Sequence, residues 1–335
     1  MPPQRVLVTG ATGFLGHHLV DHLVRAGYPV RALVRADSDT RQLLELDVEQ
    51  VEGDIRDAAA VNQAVAGCAV VVHAAGLFRL WGPAREFERT NAEATAYVLE
   101  AARRQGVERL IHISTVAVVG QPPAGAVIDE TTRCQPADAY QRSKLDGENL
   151  ARMFYQTTRV PVIILRPGAY YGPGGHYAFN RLFFEDPLKG LFIQVHGGRR
   201  LTFPVFVPDV ARVCEAAFTR GEPGQVYNVS GQSLSHREVN RTVSRAARLP
   251  PWRLNIPTRA MLALARWQTA QAERTGREPY YPLNLAHYVF NDWNVSSTKA
   301  RAVLGFEPTP FDEGARQTIA WYHEQGKLRR LNGRN

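Results

Sequence analysis

A tyrosine and a lysine stand four residues apart, at Tyr140 and Lys144, in a segment whose pattern predicts a helix. Residues four apart share one face of a helix, so this spacing places the ammonium beside the phenol. A phenol has an ordinary pKa of about 10 and is a poor acid or base at neutral pH, but a nearby cation lowers that pKa. We therefore expect Tyr140 to exchange a proton with an oxygen whose carbon gains or loses a hydride.

That chemistry also needs a hydroxyl group to hold the reacting oxygen. Ser114 and Thr115 stand at the end of a predicted strand, and Thr115 precedes Tyr140 by 25 residues. A tyrosine and a lysine at this spacing are common by chance, and the alternative is an ordinary pair on a surface helix. The prediction therefore depends on the motifs that accompany the pair.

Three glycines follow the first predicted strand with the spacing GxxGxxG, at Gly10, Gly13 and Gly16. Gly10 permits a tight turn, Gly13 lets the backbone approach a pyrophosphate, and Gly16 lets the helix pack on the strand. The N-terminus of that helix offers free N–H groups and a positive dipole end to phosphates. We expect a dinucleotide to bind this loop, which also contains Thr12, Phe14 and Leu15.

The end of the second predicted strand bears on the choice between the two nicotinamide dinucleotides. An NAD site usually has an acidic residue about twenty positions after the glycines. This chain has Arg35 at that place and no carboxylate until Asp37. Because a guanidinium binds a 2′-phosphate well, Arg35 favours NADP(H), with NAD(H) as the alternative. Arg35 is otherwise a solvated residue that stacks on adenine.

Residues after the third and fourth predicted strands complete the expected dinucleotide site. Asp54, followed by Ile55, is expected to bond the adenine amino group or else to cap the next helix. The small residues after the fourth strand let a dinucleotide lie close to the backbone, and they are Ala74, Ala75 and Gly76.

Strands and helices that would position these residues alternate through the first half of the chain. The strands are predicted at 5–9, 30–34, 48–53, 69–73, 109–114 and 162–166, with helices at 13–26, 41–46, 58–66, 86–105 and 139–155. Several strands are apolar on both faces, as in a parallel sheet that helices cover on both sides. We expect an α/β fold with a Rossmann-type, doubly wound parallel sheet.

The second half of the chain is less regular. Strands are predicted at 204–207 and 225–229, and helices at 235–247 and 259–274. We expect an NAD(P)-binding domain over residues 1–171 and a smaller, mostly helical C-terminal substrate lobe over residues 172–335. Segments near 204–230 are expected to return to the sheet.

Several motifs together resemble the extended short-chain dehydrogenase/reductase family, also called the NAD-dependent epimerase/dehydratase family. They are Thr9–Gly16, Asp54, Asn91, Ser114-Thr115, Tyr140–Lys144 and Arg166-Pro167-Gly168. The likeness covers most of the chain, because 206–211, 224–229 and 297–306 are similar to later motifs of the family.

The resemblance implies a role for each matching residue. Tyr140 would be the catalytic acid or base, and Lys144 would hold the nicotinamide ribose and tune Tyr140. Thr115 falls where the family places its substrate-orienting hydroxyl, with Ser114 as the fallback. The residues that would border the nicotinamide carboxamide are Pro167, Gly168 and Ala169.

The resemblance also implies a homodimer, because family members usually pair through the helices that here contain Asn91 and Tyr140. Asn91 would lie beside the active site, or else bond the backbone of its own helix. Within the family, residues 30–35 look like the dihydroflavonol reductase and 3β-hydroxysteroid dehydrogenase branch. Residues 80–82 and 273–279 resemble a bacterial subgroup named hopanoid-associated sugar epimerase.

Two features of the sequence bear on the substrate class: the absence of an arginine at one position and the many apolar residues of the substrate lobe. Nucleotide-sugar enzymes usually bind the diphosphate with an arginine seven residues before the aspartate at position 209, and Thr202 stands there, near Arg199 and Arg200. The substrate lobe is rich in apolar residues that would line a pocket or form the core of the lobe: Phe179, Leu182, Phe183, Phe184, Leu191, Phe192, Met261, Trp267, Tyr280 and Tyr281. We favour a ketone or secondary alcohol with an apolar body.

Two other functions remain open at this point. One is a nucleotide-sugar epimerase or dehydratase with tightly bound NAD, and the other is a non-catalytic protein that senses a dinucleotide. The sequence contains no Gly-x-Ser-x-Gly elbow and no His/Cys cluster with metal-ligand spacing, so we expect neither a hydrolase nor a bound metal.

Composition and charge exclude several classes of protein. The chain has 335 residues, of which 44% are hydrophobic and 21% charged, as in ordinary globular proteins. The net charge is +8, but the basic residues are spread along the chain apart from a cluster at 327–334, so nucleic acid is not an expected partner. The sequence has no apolar run of membrane-spanning length, no signal-peptide pattern and three widely spaced cysteines, which together predict a cytoplasmic protein.

Overall fold

Thirteen β-strands occur in the part of the chain that the computed structural model describes, residues 4–122 and 125–326. They are β1 (Val6–Thr9), β2 (Val30–Val34), β3 (Val48–Glu52), β4 (Val70–His73), β5 (Arg109–Ile113), β6 (Val162–Pro167), β7 (Ala169–Tyr171), β8 (Ile193–Val195), β9 (Leu201–Thr202), β10 (Pro204–Phe206), β11 (Val226–Val229), β12 (Leu234–Ser235) and β13 (Leu254–Ile256). Seven of them form one sheet in the order β11-β6-β5-β4-β1-β2-β3. All neighbours in this sheet are parallel.

Thirteen α-helices connect the strands within the same described residues. They are α1 (Phe14–Arg25), α2 (Arg41–Leu44), α3 (Ala58–Val65), α4 (Ala84–Glu88), α5 (Ala94–Gln105), α6 (Ala139–Thr158), α7 (Asp186–Leu188), α8 (Val207–Arg220), α9 (His236–Ala247), α10 (Thr258–Thr275), α11 (Ala286–Val289), α12 (Thr298–Leu304) and α13 (Phe311–Glu324). The basic cluster predicted at 327–334 lies outside the described residues.

The two faces of the seven-stranded sheet are covered by two separate hydrophobic clusters. Side chains alternate between the faces of a strand, so Val6 and Val8 of β1 join one cluster and Leu7 joins the other. The first cluster includes residues of α1, α8 and α12, and the second includes residues of α3, α5 and α6. This arrangement confirms the predicted doubly wound α/β fold.

The two strands in the segments near 204–230 belong to different sheets. Val226–Val229 pairs with β6 and becomes the edge strand of the main sheet. Pro204–Phe206 pairs with Ala169–Tyr171 in a separate two-stranded sheet. The remaining C-terminal segments, with α9 and α13, build a third hydrophobic cluster around Phe184 and Tyr322.

The predicted helix at 86–105 is longer and less regular than the pattern indicates. It begins at Ala84, and a π-helical turn over Arg89–Glu93 separates α4 from α5. The wider turn contains Asn91, whose side chain leaves its own helix to bond Leu77 and Ser143. A period of 3.6 residues does not reveal such a turn, because it adds one residue without interrupting the helix.

Candidate active site

The three glycines after β1 form a tight loop, and at two of them, Gly10 and Gly16, a Cβ atom would clash with the backbone. Gly10 has φ +72°, and a Cβ atom there would lie 2.8 Å from the Cα of Ala75. A Cβ atom on Gly16 would lie 1.9 Å from the carbonyl oxygen of Gly10. Gly13 is the N-cap of α1 and has no side chain to occupy the free N–H groups of the helix. These groups are therefore available to an anion, as a dinucleotide pyrophosphate requires.

Small residues after β4 keep the space beside this loop open. The hydroxyl of Thr9 accepts a hydrogen bond from the backbone N–H of Ala75 at 3.1 Å and joins the ends of β1 and β4. A Cβ atom on Gly76 would lie 3.2 Å from Oδ1 of Asn91 and 3.7 Å from Nζ of Lys144. Of the remaining predicted loop residues, Phe14, Leu15 and Ala74 line the cleft beside it, whereas Thr12 is exposed.

Arg35, Asp54 and Ile55 lie apart from this cleft, after the ends of β2 and β3. The guanidinium of Arg35 is 60% exposed and pairs with Asp37 at 3.0 Å. Asp54 pairs with Arg56 at 2.7 Å, and the charge and hydrogen bonds of Arg56 hold the pKa of Asp54 below its ordinary value. The cap of α3 is Asp57 instead, and Ile55 is buried in the hydrophobic core. Sequence reasoning missed Arg56, a second cation at this end of the site.

Tyr140, Thr115 and Lys144 meet at the carboxyl end of β5. Asp138 caps α6 by accepting a hydrogen bond from the N–H of Gln141 at 2.8 Å, so that Tyr140 lies in the first turn of this helix. Tyr140 and Thr115 both line one cleft, and the hydroxyl of Thr115 lies near enough to that of Tyr140 to influence its pKa. Lys144 lies one turn further along, buried, and donates a hydrogen bond to the carbonyl oxygen of Ile113 at 2.6 Å.

Groups of the protein shift the pKa values of both Tyr140 and Lys144. The shift of the Tyr140 pKa is opposite in direction to the expectation. Burial raises the pKa of Tyr140 above its ordinary value, and the hydrogen bond from Thr115 opposes this only in part. Burial also lowers the pKa of Lys144 to about 8, against the opposing charge of Glu148. The expected lowering of the Tyr140 pKa is therefore wrong for these groups alone, because desolvation dominates the shift and Lys144 is not among its causes.

Because Lys144 is buried, we predict that the free energy of unfolding rises with pH. Its pKa in the folded chain, about 8, lies below the ordinary 10.5, so between these values the unfolded chain holds a proton that the folded chain has lost. When the pH rises from about 7 to about 10, the unfolding free energy of the wild type should therefore increase by about 2–3 kcal/mol relative to that of Lys144→Met. Urea unfolding of both proteins, without added dinucleotide, measures this difference. Parallel pH profiles would contradict it.

Ser114 belongs to a buried ionic network rather than to the Tyr140 group. Its hydroxyl donates a hydrogen bond to Oε2 of Glu148 at 2.8 Å. Arg166 binds both carboxylate oxygens of Glu148, at 2.7 and 2.8 Å, and Arg152 binds Oε1 from the partly exposed side. Both predicted residues line the cleft, but only the hydroxyl of Thr115 influences the pKa of Tyr140, and Ser114 helps to hold β5, β6 and α6 together.

Asn91 connects the loop after β4 with α6. Its Oδ1 accepts a hydrogen bond from the N–H of Leu77 at 2.7 Å, and its Nδ2 donates to the carbonyl oxygen of Leu77 and to the hydroxyl of Ser143. Asn91 thus positions the Gly76 loop against the helix that carries Tyr140 and Lys144.

An elongated cleft of about 360 Å³ opens in front of Tyr140 and Thr115. Pro167, Gly168 and Ala169 line it, and Gly168 packs so closely that a Cβ atom would lie 2.3 Å from the carbonyl oxygen of Phe203. Its other walls are largely apolar or aromatic and include Phe78, Leu80, Tyr170, Tyr177, Phe179, Leu182, Phe183, Phe203, Leu285, Tyr288 and Val289. The ring of Phe78 lies 4.7 Å from that of Tyr140.

The described residues that line this cleft carry few charges. Lys144 is the only lysine or arginine among them, and they include no aspartate or glutamate. Thr202 lines the cleft, whereas Arg200 lies outside it and pairs with Asp292 at 2.5 Å. The described cleft therefore lacks the arginine with which a nucleotide-sugar enzyme would bind a diphosphate.

Comparison with known proteins identifies the family. The model of the NAD dependent epimerase/dehydratase family matches residues 6–230, which include the glycine loop, Thr115, Tyr140 and Lys144. The chain belongs to this family. The resemblance to extended short-chain dehydrogenases/reductases that the motifs indicate is therefore confirmed.

The names of related proteins indicate several different reactions. A sterol demethylase protein B of Methylococcus capsulatus is 30% identical over 96% of this chain and 99% of its own length. A 4-hydroxy-2-methyl-3-oxo-4-farnesyl-3,4-dihydroquinoline-1-oxide ketoreductase of Stigmatella aurantiaca is 29% identical over 90% and 92%. The dTDP-glucose 4,6-dehydratase of Streptomyces venezuelae, solved with NAD bound, superposes with a TM-score of 0.78 at 25% identity over 96% and 97%. Family and relatives support a nicotinamide dinucleotide as cofactor.

Sequence reasoning missed members of the site that come from distant segments of this family member. The hydroxyl of Tyr288 donates a hydrogen bond to Asp138 at 3.2 Å, at the start of the helix that carries Tyr140. The ring of Tyr288 stacks on Trp293, which stacks on Phe203 with ring centroids 4.5 Å apart. No local pattern marks these residues, because their partners lie far away in the sequence.

Two further observations concern the described residues as a whole. Within residues 4–122 and 125–326, no helix combines the length and apolarity that a membrane crossing requires. The same residues contain no group of three or more His, Cys, Asp or Glu side chains arranged to hold a metal ion.

Proposed function

We propose that this protein is a dinucleotide-dependent oxidoreductase that interconverts a ketone and a secondary alcohol on a substrate with a largely apolar body. The observation that carries this proposal is the apolar cleft in front of Tyr140 and Thr115, in which Lys144 is the only lysine or arginine among the described lining residues. A carbonyl group fits the two hydroxyls, and an apolar body gains free energy by leaving water for such walls.

The residues around the glycine loop fit a dinucleotide. Gly10, Gly13 and Gly16 leave the space and the free N–H groups that a pyrophosphate needs, and the cleft continues from there to Tyr140. We assign the nicotinamide end to Pro167, Gly168 and Ala169 and the ribose to Lys144. A bound nicotinamide dinucleotide supplies or accepts the hydride.

Tyr140 and Thr115 then act on the substrate oxygen. Thr115 donates a hydrogen bond that holds the oxygen, and Tyr140 donates its proton to it as the alcohol forms. Because burial raises the pKa of Tyr140, the phenol keeps its proton at neutral pH and is ready to donate it. In the opposite direction the phenolate of Tyr140 accepts the proton of the alcohol, so Tyr140 must first lose its own proton.

We propose NADP(H) as the preferred dinucleotide, because Arg35 and Arg56 both lie beyond the ends of β2 and β3. Arg35→Asp should lower kcat/KM for NADPH about tenfold to a hundredfold, the value of a lost charge-assisted hydrogen bond, and raise it for NADH. Arg41→Asp, which changes a neighbouring and more exposed arginine, is the control. An unchanged ratio between the two dinucleotides in Arg35→Asp would contradict this role.

A nucleotide-sugar epimerase or dehydratase is the second candidate, because relatives include such enzymes. Elimination of water from a sugar needs a further acid or base beside Tyr140, yet residues 116–119 after Thr115 are apolar and buried and the described cleft lining holds no carboxylate. Stoichiometric NAD released on denaturing the purified protein would favour this candidate.

The experiment that tests the proposal supplies NADPH together with methyl ketones of increasing chain length, and dTDP-glucose or UDP-glucose in parallel. We expect oxidation of NADPH with the ketones and no conversion of the sugar nucleotides. Ketone turnover would also exclude a non-catalytic dinucleotide sensor. Conversion of a sugar nucleotide without ketone turnover would reject the proposal.

The homodimer and the cytoplasmic location stay predictions. A dimer would pair α5 and α6, and Met153 on α6 is 54% exposed, as a residue at such an interface would be in a single chain. All three cysteines are free, and Cys68 and Cys214 are buried. Light scattering of the purified protein measures the mass of the particle directly.

A further inference from the structure

A second cavity of about 90 Å³ lies beside the catalytic cleft, beneath α10. Leu191 and Ile193 form one wall, and Met261, Leu262 and Ala265 on the inner face of α10 form the opposite wall. Because most of its lining is apolar, water gains little there and an apolar group gains by entering.

The second cavity and the catalytic cleft share part of their walls. Leu182, Phe183, His236, Leu285 and Val289 line both. A substrate whose carbonyl group lies at Thr115 and Tyr140 therefore has to pass only these side chains for its far end to reach the space beneath α10.

We propose that the cavity beneath α10 is a subsite for the far end of an extended apolar substrate. As a substrate subsite it rests on the proposed function, because the length of the chain that fills it is counted from the reacting carbonyl. It defines the substrate class as a long, apolar ketone or alcohol.

A chain-length series tests the subsite. For wild type, kcat/KM for methyl ketones should rise about fourfold for each methylene that enters the cavity, the value of about 0.8 kcal/mol per buried methylene. Ala265→Phe fills the cavity and should remove this rise while leaving the shortest ketones within about twofold. Ala263→Phe, on the exposed face of the same helix, is the matched control and should keep the rise.

Direct binding separates failure of the subsite from failure of the proposed function. Calorimetric titration with 1-decanol needs no turnover, and its Kd should be at least tenfold weaker for Ala265→Phe than for wild type and Ala263→Phe. If Ala265→Phe does not fold, Met261→Trp fills the same space from the same helix. If 1-decanol binds with this pattern but no ketone is reduced, only the proposed function is rejected. If wild type and Ala265→Phe bind 1-decanol equally well, or if wild type does not bind it, the subsite is rejected.

Discussion

Replacing Tyr140 with phenylalanine is expected to lower kcat/KM for ketone reduction about a thousandfold, while the protein stays folded. The change removes a single hydroxyl group, and with it the proton that we assign to the substrate oxygen, a contribution of general acid catalysis within the usual range. The aromatic ring remains packed against Phe78, whose ring lies 4.7 Å away, so the walls of the cleft are preserved. Initial rates with NADPH over a range of methyl ketone concentrations below saturation measure the effect.

Tyr155→Phe is the matched control for this prediction. Tyr155 lies on the same helix, α6, four turns from Tyr140, and packs on the hydrophobic core rather than in the cleft. The control should reduce ketones at the wild-type rate. If Tyr140→Phe keeps more than a tenth of wild-type kcat/KM, the proton comes from another group and the assignment is wrong.

Replacing Arg166 with methionine is expected to lower the free energy of unfolding by about 3–5 kcal/mol, the usual cost of leaving a buried charge without its partner. Arg166 is 2% exposed and Glu148 is fully buried, and two hydrogen bonds of 2.7 and 2.8 Å join them. Methionine preserves most of the apolar length of the side chain but donates no hydrogen bond. Urea unfolding at neutral pH measures the loss.

The exposed ion pair of Arg316 and Asp312 provides the comparison. Both side chains are more than half exposed, so Arg316→Met should cost less than about 1 kcal/mol. Although burial raises the pKa of Glu148, its hydrogen bonds with Arg166 outweigh this and hold the pKa below the ordinary value. The pair therefore stabilises the fold above about pH 4.5 and loses this effect as the pH falls. Equal losses in Arg166→Met and Arg316→Met would contradict the buried pair.

The parts of the site that follow from short stretches of sequence could be predicted. The glycine spacing identifies a loop in which Gly10 and Gly16 must lack side chains, and the structure shows contacts of 2.8 and 1.9 Å for any Cβ atoms there. The spacing of Tyr140 and Lys144 places them on one face of α6 because a helix repeats about every four residues. The strands were recognisable because residues on both faces are apolar.

Contacts between distant segments could not be predicted from the sequence. The pairing of Glu148 with Arg166 needs the relative position of α6 and β6, and the stack of Tyr288, Trp293 and Phe203 joins α11 and the segment after it to the connection between β9 and β10. The direction of the Tyr140 pKa shift was also out of reach, because it depends on how fully the folded chain desolvates the phenol. The charged residues are visible in a sequence, whereas their burial is a property of the packed structure.

The measurement that tests the central claim most directly is a comparison of kcat/KM, with NADPH, for an apolar methyl ketone and for dTDP-glucose or UDP-glucose. The cleft has apolar walls and, among its described residues, no arginine for a diphosphate. We therefore predict that NADPH is consumed with the ketone and that neither sugar nucleotide is converted. Conversion of a sugar nucleotide by protein that retains bound NAD, with no ketone reduced, would contradict the account.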